Sequence, residues 1–256
     1  MNHKEFLKFR EQLQSNLEPH PAVTGLVFVG SAADVTRADE WSDHDFFVFT
    51  SPGTAEEFRQ NLEWIPDYDN ISFYFRETDH GLKVVYKSGH VLEFAVFDDD
   101  IVLAGVNAYE VALDKADIAG RLAAAKVGSI PQPLDVDKEF PLLLSHLLIG
   151  TGRYRRGEAL AANQFIIGFC VTSVMKLADV VCVPANGFED SVDNQNPLRR
   201  FELRHPELAS ELAELQRLDL DSAARGILNI VIHHLSVLLT DVRLEHIAVV
   251  KARLGW

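Results

Sequence analysis

Cysteine and positive charge are both scarce in this 256-residue chain. The two cysteines, Cys170 and Cys182, sit inside one apolar stretch. That excludes a disulfide framework and any cysteine-rich metal site, and predicts reduced core residues. Lys and Arg number 24 against 38 Asp and Glu, giving a formal net charge of −14, and no Lys/Arg-rich run occurs. The basic footprint that a nucleic-acid duplex requires is therefore missing. Such acidity suits a cationic small substrate, and equally keeps a cytosolic protein in solution. Long apolar runs are absent too. The richest, FIIGFCVTSVMKLADVVCV (165–183), carries Lys176 and Asp179 and predicts a buried helix rather than a membrane span. The first residues, MNHKEFLKFREQLQ, lack the apolar core of a signal peptide. The expectation is a cytoplasmic chain with neither nucleic acid nor membrane as partner. No G-x-G-x-x-G, P-loop, G-x-S-x-G or H-E-x-x-H pattern is present, and the adjacent His233 and His234 point in different directions on a helix.

What is there changes character near residue 130. The first half opens with a helix over about 3–17. Apolar runs of strand type follow at 24–29, 45–50, 71–76, 83–86, 91–97 and 109–113. Between the second and third, Thr54 with Glu57 three residues on predicts a capping box and a helix over about 55–65. Ser88-Gly89 predicts a hairpin between the fourth and fifth strands. A mixed, mostly antiparallel sheet with a helix on one face fits these runs. The stretch 128–137, GSIPQPLDVD, predicts a linker. Beyond it Phe140, Leu143, Leu144, Leu147 and Leu148 recur at helical spacing, and further helices are predicted over about 158–182, 206–217 and 221–243. The expected organisation is α+β: residues 1–128 as a mixed sheet with flanking helices, and 129–256 as a helical bundle.

The chemistry concentrates in VGSAADVTRADEWSDHDFFVF (29–49). A strand ends at Gly30-Ser31, eleven residues intervene, and the next strand brings Asp43 and Asp45 to the same face. Two carboxylates at that spacing repel unless the face is wet or a cation sits there. Gly30 allows close approach of a bound group, and Ser31 can hold a phosphate oxygen. His44 faces the other way and reads as a packing histidine. Glu93 interrupts the apolar strand VLEFAVF, where a charge is costly unless paired or metal-bound. If that strand lies beside the one carrying Asp45, three carboxylates converge. They suit one or two Mg²⁺ ions, which complete their shell with water and substrate phosphates.

The pattern of apolar strand, Gly30-Ser31, eleven residues, Asp43-x-Asp45 and a later acidic strand residue resembles the nucleotidyltransferase superfamily typified by DNA polymerase β. Within it the chain is similar to the small-molecule branch that modifies lincosamides and aminoglycosides. The GLKVVYKSGHVLEFAVF hairpin and the YRRGEA segment (154–159) extend that likeness. His44 stands where the family usually has an apolar residue. The resemblance implies a polymerase-β-like domain at 1–128 followed by a helical substrate-binding and dimerisation domain. It implies that Gly30 and Ser31 hold the phosphates of a nucleoside triphosphate (NTP) such as ATP, while Asp43 and Asp45 bind Mg²⁺. Glu93 would be the third ligand, or the base that deprotonates an acceptor hydroxyl. A homodimer and a role in antibiotic resistance are implied likewise. Arg155 and Arg156 are candidate phosphate cations, or else residues of a solvated helix end. Two other readings compete. One is a binding or regulatory protein with a vestigial site; the other is a metal-dependent Asp-x-Asp glycosyltransferase.

Overall fold

The computed structural model describes residues 1–98, 109–128, 133–188, 196 and 199–256, with the side chains of 125–128 left aside. Contacts divide the chain into two units, Met1–Pro131 and Gln132–Trp256. Residues 129–132 of the expected linker lie outside the described residues.

In the first unit, helix α1 (His3–Leu17) starts on a capping box. The Asn2 side chain accepts from the Glu5 N–H, and the Glu5 carboxylate accepts from the Asn2 N–H. Phe6, Phe9, Leu13 and Leu17 recur along one buried face of this helix. The strands are β1 (Val23–Val29), β2 (His44–Thr50), β3 (Ile71–Arg76), β4 (Gly81–Tyr86), β5 (Val91–Phe97) and β6 (Tyr109–Asp114). They form one sheet in the order β3-β4-β5-β2-β1-β6, with β2 and β5 parallel and the other pairs antiparallel. Strand alternation divides the side chains between two faces. Leu26, Phe28, Phe46, Val48, Leu82, Val84, Leu92, Phe94 and Val96 form a core with α1 and with α3 (Ala55–Gln60). On the opposite face a smaller cluster joins Val27 and Phe49 to Ile118 and Leu122 of α4 (Ile118–Gly128). Asp114 starts that helix, its carboxylate accepting from the Ile118 and Ala119 N–H groups at 2.8 and 3.1 Å. A side chain at Gly25 would lie 2.6 Å from Ile118, so the glycine is what lets α4 close onto β1. The sheet thus carries helices on both faces, where one was expected.

The helix expected over 55–65 ends at Gln60, and its capping box does not form. Thr54 Oγ1 donates instead to the Ser51 carbonyl at 2.7 Å. The helix start is capped from a distance, by Asp98 Oδ1 accepting from the N–H groups of Thr54 and Ala55, both at 3.1 Å. Asn61 then turns the chain by accepting from the Glu63 N–H at 3.0 Å.

The second unit is helical throughout its described residues. Its first helix, α5 (Val136–Arg155), begins inside the expected linker, with Asp135 accepting from the Lys138 N–H. The stretch expected at 158–182 is a run of three segments. These are α6 (Ala159–Asn163), a π-helical segment Gln164–Cys170 and α7 (Val171–Val181). Ala159–Val181 is long and apolar enough to cross a membrane by length and composition, contrary to the expectation that no stretch would be. Its Ile166, Cys170, Val174, Leu177 and Ala178 are buried in the core of this unit. Cys170 is buried and its thiol is pushed up in pKa by desolvation, while Cys182 is half-buried; both are free. Helices α8 (Phe201–Arg204) and α9 (Pro206–Leu215) follow. The helix expected over 221–243 is in fact two, α10 (Leu220–His234) and α11 (Asp241–Leu254). A 3₁₀ turn at Ser236–Leu238 parts them, and Thr240 caps the second by accepting from the Arg243 N–H.

Candidate functional site

Strand β1 runs straight into a short helical turn, α2 (Gly30–Ala33), and Gly30 is the pivot. Its φ of 59° lies in the left-handed region, and a Cβ there would sit 2.8 Å from Asp45 Oδ2. Any side chain at this position would be strained, and would displace the carboxylate as well. Ser31 Oγ donates to the Asp43 carbonyl at 3.3 Å, tying the turn to the start of β2. The two sequence fragments, separated by eleven residues, are therefore one place in the fold. Asp43 immediately precedes β2 rather than lying in it. The intervening loop is closed by Arg37. Its Nε donates to Asp34 Oδ2 at 2.6 Å and its Nη2 to the Gly30 carbonyl at 3.1 Å. Asp34 lies below the usual carboxylate range, chiefly because Thr36 donates to it, with Arg37 adding to the effect.

Register supplies the rest. Val29 pairs with Asp45, Asp45 with Glu93, Glu93 with Lys83, and Lys83 with Phe75. Residues paired across neighbouring strands share a face, with strands spaced about 4.8 Å apart. Asp45, Glu93 and Lys83 thus form a charged row on the face that also carries α4. Lys83 Nζ lies 3.0 Å from Glu93 Oε1 and 3.1 Å from Glu77 Oε1. The hydrogen bond to Glu93, followed by that to Glu77, raises the lysine pKa and holds it charged.

His44 points to the other face and is fully buried. It stacks on Phe6 at 3.8 Å; Nε2 lies 3.1 Å from the Phe6 carbonyl and Nδ1 lies 2.8 Å from His90 Nε2. Desolvation, with the neighbouring His90 adding to it, lowers its pKa to about 3; burial lowers that of His90 to about 4. Its role as a packing histidine follows from these contacts.

The arginine candidates lie in the helical unit, where carboxylates hold them. Arg155 Nε donates to Asp221 Oδ1 at 2.8 Å and Arg156 Nε to Glu158 Oε1 at 3.0 Å, while Arg153 also pairs with Glu158. Lys83, Glu77 and Arg37 escaped the sequence reading. A signal for Lys83 existed, because Lys83 and Glu93 each stand five residues from Ser88, and a hairpin turning there pairs them. Arg37 carried no such signal.

The donors available to a cation are all hard oxygens, the chemistry that suits Mg²⁺. Among the described residues no group of three His, Cys, Asp or Glu side chains is assembled to hold a metal. Asp43 and Asp45 fit Mg²⁺ as a partial shell, of the kind that one or two carboxylates provide and substrate phosphates complete. Glu93 differs, since Lys83 already neutralises it.

No protein-family model matches the chain. Methylenetetrahydrofolate–tRNA-(uracil-5-)-methyltransferase TrmFO of Desulfotalea psychrophila is 34% identical over 67 residues, which is 26% of this chain. The chain spans only 14% of that protein's length. Among solved structures, an aminoglycoside 6-adenyltransferase from Bacillus subtilis aligns over 99% of this chain and 98% of its own, at 10% identity and a TM-score of 0.37. A nucleotidyltransferase-like protein from Exiguobacterium sibiricum 255-15 covers 88% of this chain and 75% of its own, at 13% identity and a TM-score of 0.29. The E. coli MS115-1 CdnC:HORMA-deltaN complex aligns over 98% and 91%, at 13% identity and a TM-score of 0.29. Likeness at this level fixes neither fold nor function for this chain.

Proposed function

We propose that the chain is a nucleotidyltransferase that moves a nucleoside monophosphate from an NTP to a hydroxyl of a small molecule and releases pyrophosphate. One observation carries this reading: the Gly30-Ser31 turn is packed against Asp43 and Asp45, and Asp45 is in register with Glu93. A glycine-serine turn, the chain start of β2 with its Asp43 and Asp45, and the acidic Glu93 thereby lie at one end of the sheet. Asp43 and Asp45 would hold Mg²⁺, which when bound neutralises phosphate charge and aligns the reacting phosphoryl group. Ser31 and the backbone beside it would hold phosphate oxygens, with Gly30 leaving room for them. Glu93, next along the row, would take the proton of the acceptor hydroxyl as its oxygen bonds to the α-phosphorus and the bond to pyrophosphate breaks. Positioning and charge stabilisation supply the catalysis, with no covalent intermediate on the protein. The acceptors that fit the resemblance are hydroxylated antibiotics, lincosamides or aminoglycosides, and related metabolites.

The test is calorimetric titration of a non-hydrolysable ATP or GTP analogue with Mg²⁺, on the wild type and on Asp43→Asn/Asp45→Asn. Metal-dependent binding in the wild type, lost in the double variant, is expected. Equal binding by both proteins, or none by either, overturns the reading. Mass spectrometry of hydroxylated antibiotics incubated with the chain and each NTP then looks for one added nucleoside monophosphate. A second reading, a nucleotide-binding module without turnover, draws on the Glu93–Lys83 pair, which engages the group that would act as base.

A further inference from the structure

We infer that the outer edge of β3 is a docking surface for a second copy of this chain, the two β3 strands pairing antiparallel into one continuous sheet. The resemblance puts dimerisation in the helical half; this surface lies on the sheet and does not depend on the metal reading. The sheet has two edge strands, β3 and β6. An open edge is a template for another strand unless something blunts it. Side chains of α1 reach over β6: Gln14 Nε2 donates to the Ala112 carbonyl at 3.1 Å, and Arg10 pairs with Glu110 at 2.6 Å. On β3, Phe73, Tyr74 and Phe75 stand in a row, each between 47 and 55% exposed. The single charge of the strand, Arg76, is neutralised by Glu56 at 2.7 Å.

The backbone of β3 is ready to pair. The Glu77 N–H donates to the Gly81 carbonyl at 2.9 Å, and bonding pairs alternate along an antiparallel ladder. The N–H and C=O groups of Phe73 and Phe75 therefore turn towards β4, and those of Tyr74 and Arg76 turn outward. Among the described residues no side chain bonds to the backbone of Tyr74 or Arg76. The occupant follows from the order of the side chains. Phe73-Tyr74-Phe75 reads the same in both directions, so a two-fold axis at Tyr74 maps the row onto itself. The two Tyr74 residues would then exchange a pair of N–H···O bonds. Phe73 of each copy would face Phe75 of the other on the side of the charged row, as directly opposed aromatic pairs. Six half-exposed aromatics would bury about 600 Å², roughly half of what the smaller specific interfaces need. The paired backbones and the Arg76–Glu56 flank supply more, so a reversible dimer in the micromolar range is expected.

Sedimentation velocity of the full chain over a range of micromolar concentrations tests this. The wild type should pass from monomer to dimer. Added salt should hold or tighten the dimer, because each copy carries a net charge of −14. Phe73→Lys/Phe75→Lys sets lysine opposite lysine twice and should weaken dimerisation by at least about tenfold. Val249→Lys, which replaces an equally exposed apolar residue of the helical unit, should leave it unchanged. Circular dichroism first establishes that each variant is folded. Register is tested in a Cys182→Ser background, where Tyr74→Cys should oxidise to a covalent dimer much faster than Val249→Cys, since opposed bonded residues lie within disulfide reach. A monomer at every concentration overturns the inference. So does a dimer that survives the double lysine variant, or cross-linking at Tyr74→Cys no faster than at Val249→Cys.

Discussion

The two faces of the sheet are made by the same strands and could hardly differ more. His44 and Asp45 are chain neighbours. The first is sealed between Phe6, Phe9 and His90, while the second stands in a charged row with Glu93 and Lys83. Phe46 and Phe94 stack at 4.9 Å one residue beyond that row, on the closed face. A pleat with a period of two is all that separates core from chemistry. The face around His44 carries the larger core, while the other face, which α4 partly covers, carries the charged row that the proposed function would use, so substitutions in the row should cost less stability than substitutions in the larger core.

The largest expected effect breaks the closed face. Phe46→Ala removes a ring packed on Phe94, Phe28 and Trp64 and should cost about 3–5 kcal/mol, the usual range for an aromatic cut from a core. Urea denaturation checks it. Phe47→Ala, one residue along and on the half-exposed side, should cost well under half of that.

Next in size is pH. Burial keeps His44 and His90 neutral in the folded chain, at about 3 and about 4, whereas unfolded histidines titrate near 6.5. Between those limits the unfolded chain takes up protons that the folded chain refuses. The stability is therefore fully present above about pH 6.5 and is lost as pH falls, by up to about 1.4 kcal/mol per pH unit for each histidine. Urea midpoints at pH 7, 6 and 5 should fall steadily, and His90→Gln should flatten the slope. A midpoint unchanged between pH 7 and 5 would show that the pair titrates normally.

How much of this could be read from the sequence follows from the range of each cause. The Asp43/Asp45 spacing, the strand bearing Glu93 and the inward His44 are local, because a two-residue period needs no knowledge of neighbours. The Gly30-Ser31 turn is legible as a motif, but its contact with Asp45 Oδ2 is tertiary. The parallel pairing of β2 with β5, which sets Asp45 beside Glu93, needs the crossover and is invisible locally. Elsewhere local signals lost to distant partners. The Thr54 capping box gave way to Asp98, and α4 found a face of the sheet expected to be bare. In the helical unit the apolar pattern runs unbroken from α10 towards α11, and only the Thr240–Asp241 cap marks the division.

Gly30 is the one residue where the two faces' separation can be tested from the site side. Gly30→Ala should lose about 1–2 kcal/mol from its left-handed backbone. It should also abolish Mg²⁺-dependent nucleotide binding, because the added methyl meets Asp45 Oδ2. Gly53→Ala is the control, with φ of 82° and open space around it: a similar stability loss with nucleotide binding intact. Equal nucleotide binding by both variants would detach Gly30 from the site.

The smallest expected effect sharpens the contrast most. Glu93→Gln breaks the ion pair with Lys83, yet both side chains are partly exposed and Lys83 keeps Glu77, so stability should fall by only about 0.2–1 kcal/mol. Glu93 and Phe94 are adjacent on β5, so a substitution at one should barely register in a urea titration while truncation of the other should unfold a large fraction of the unit. On the proposed function, nucleotide transfer should respond in the opposite sense and be lost in Glu93→Gln, since the proposed base would be gone while Asp43 and Asp45 would still hold Mg²⁺ and NTP. A Glu93→Gln protein that loses several kcal/mol would mean that the row is part of the scaffold, and that the division of labour between the faces is not real.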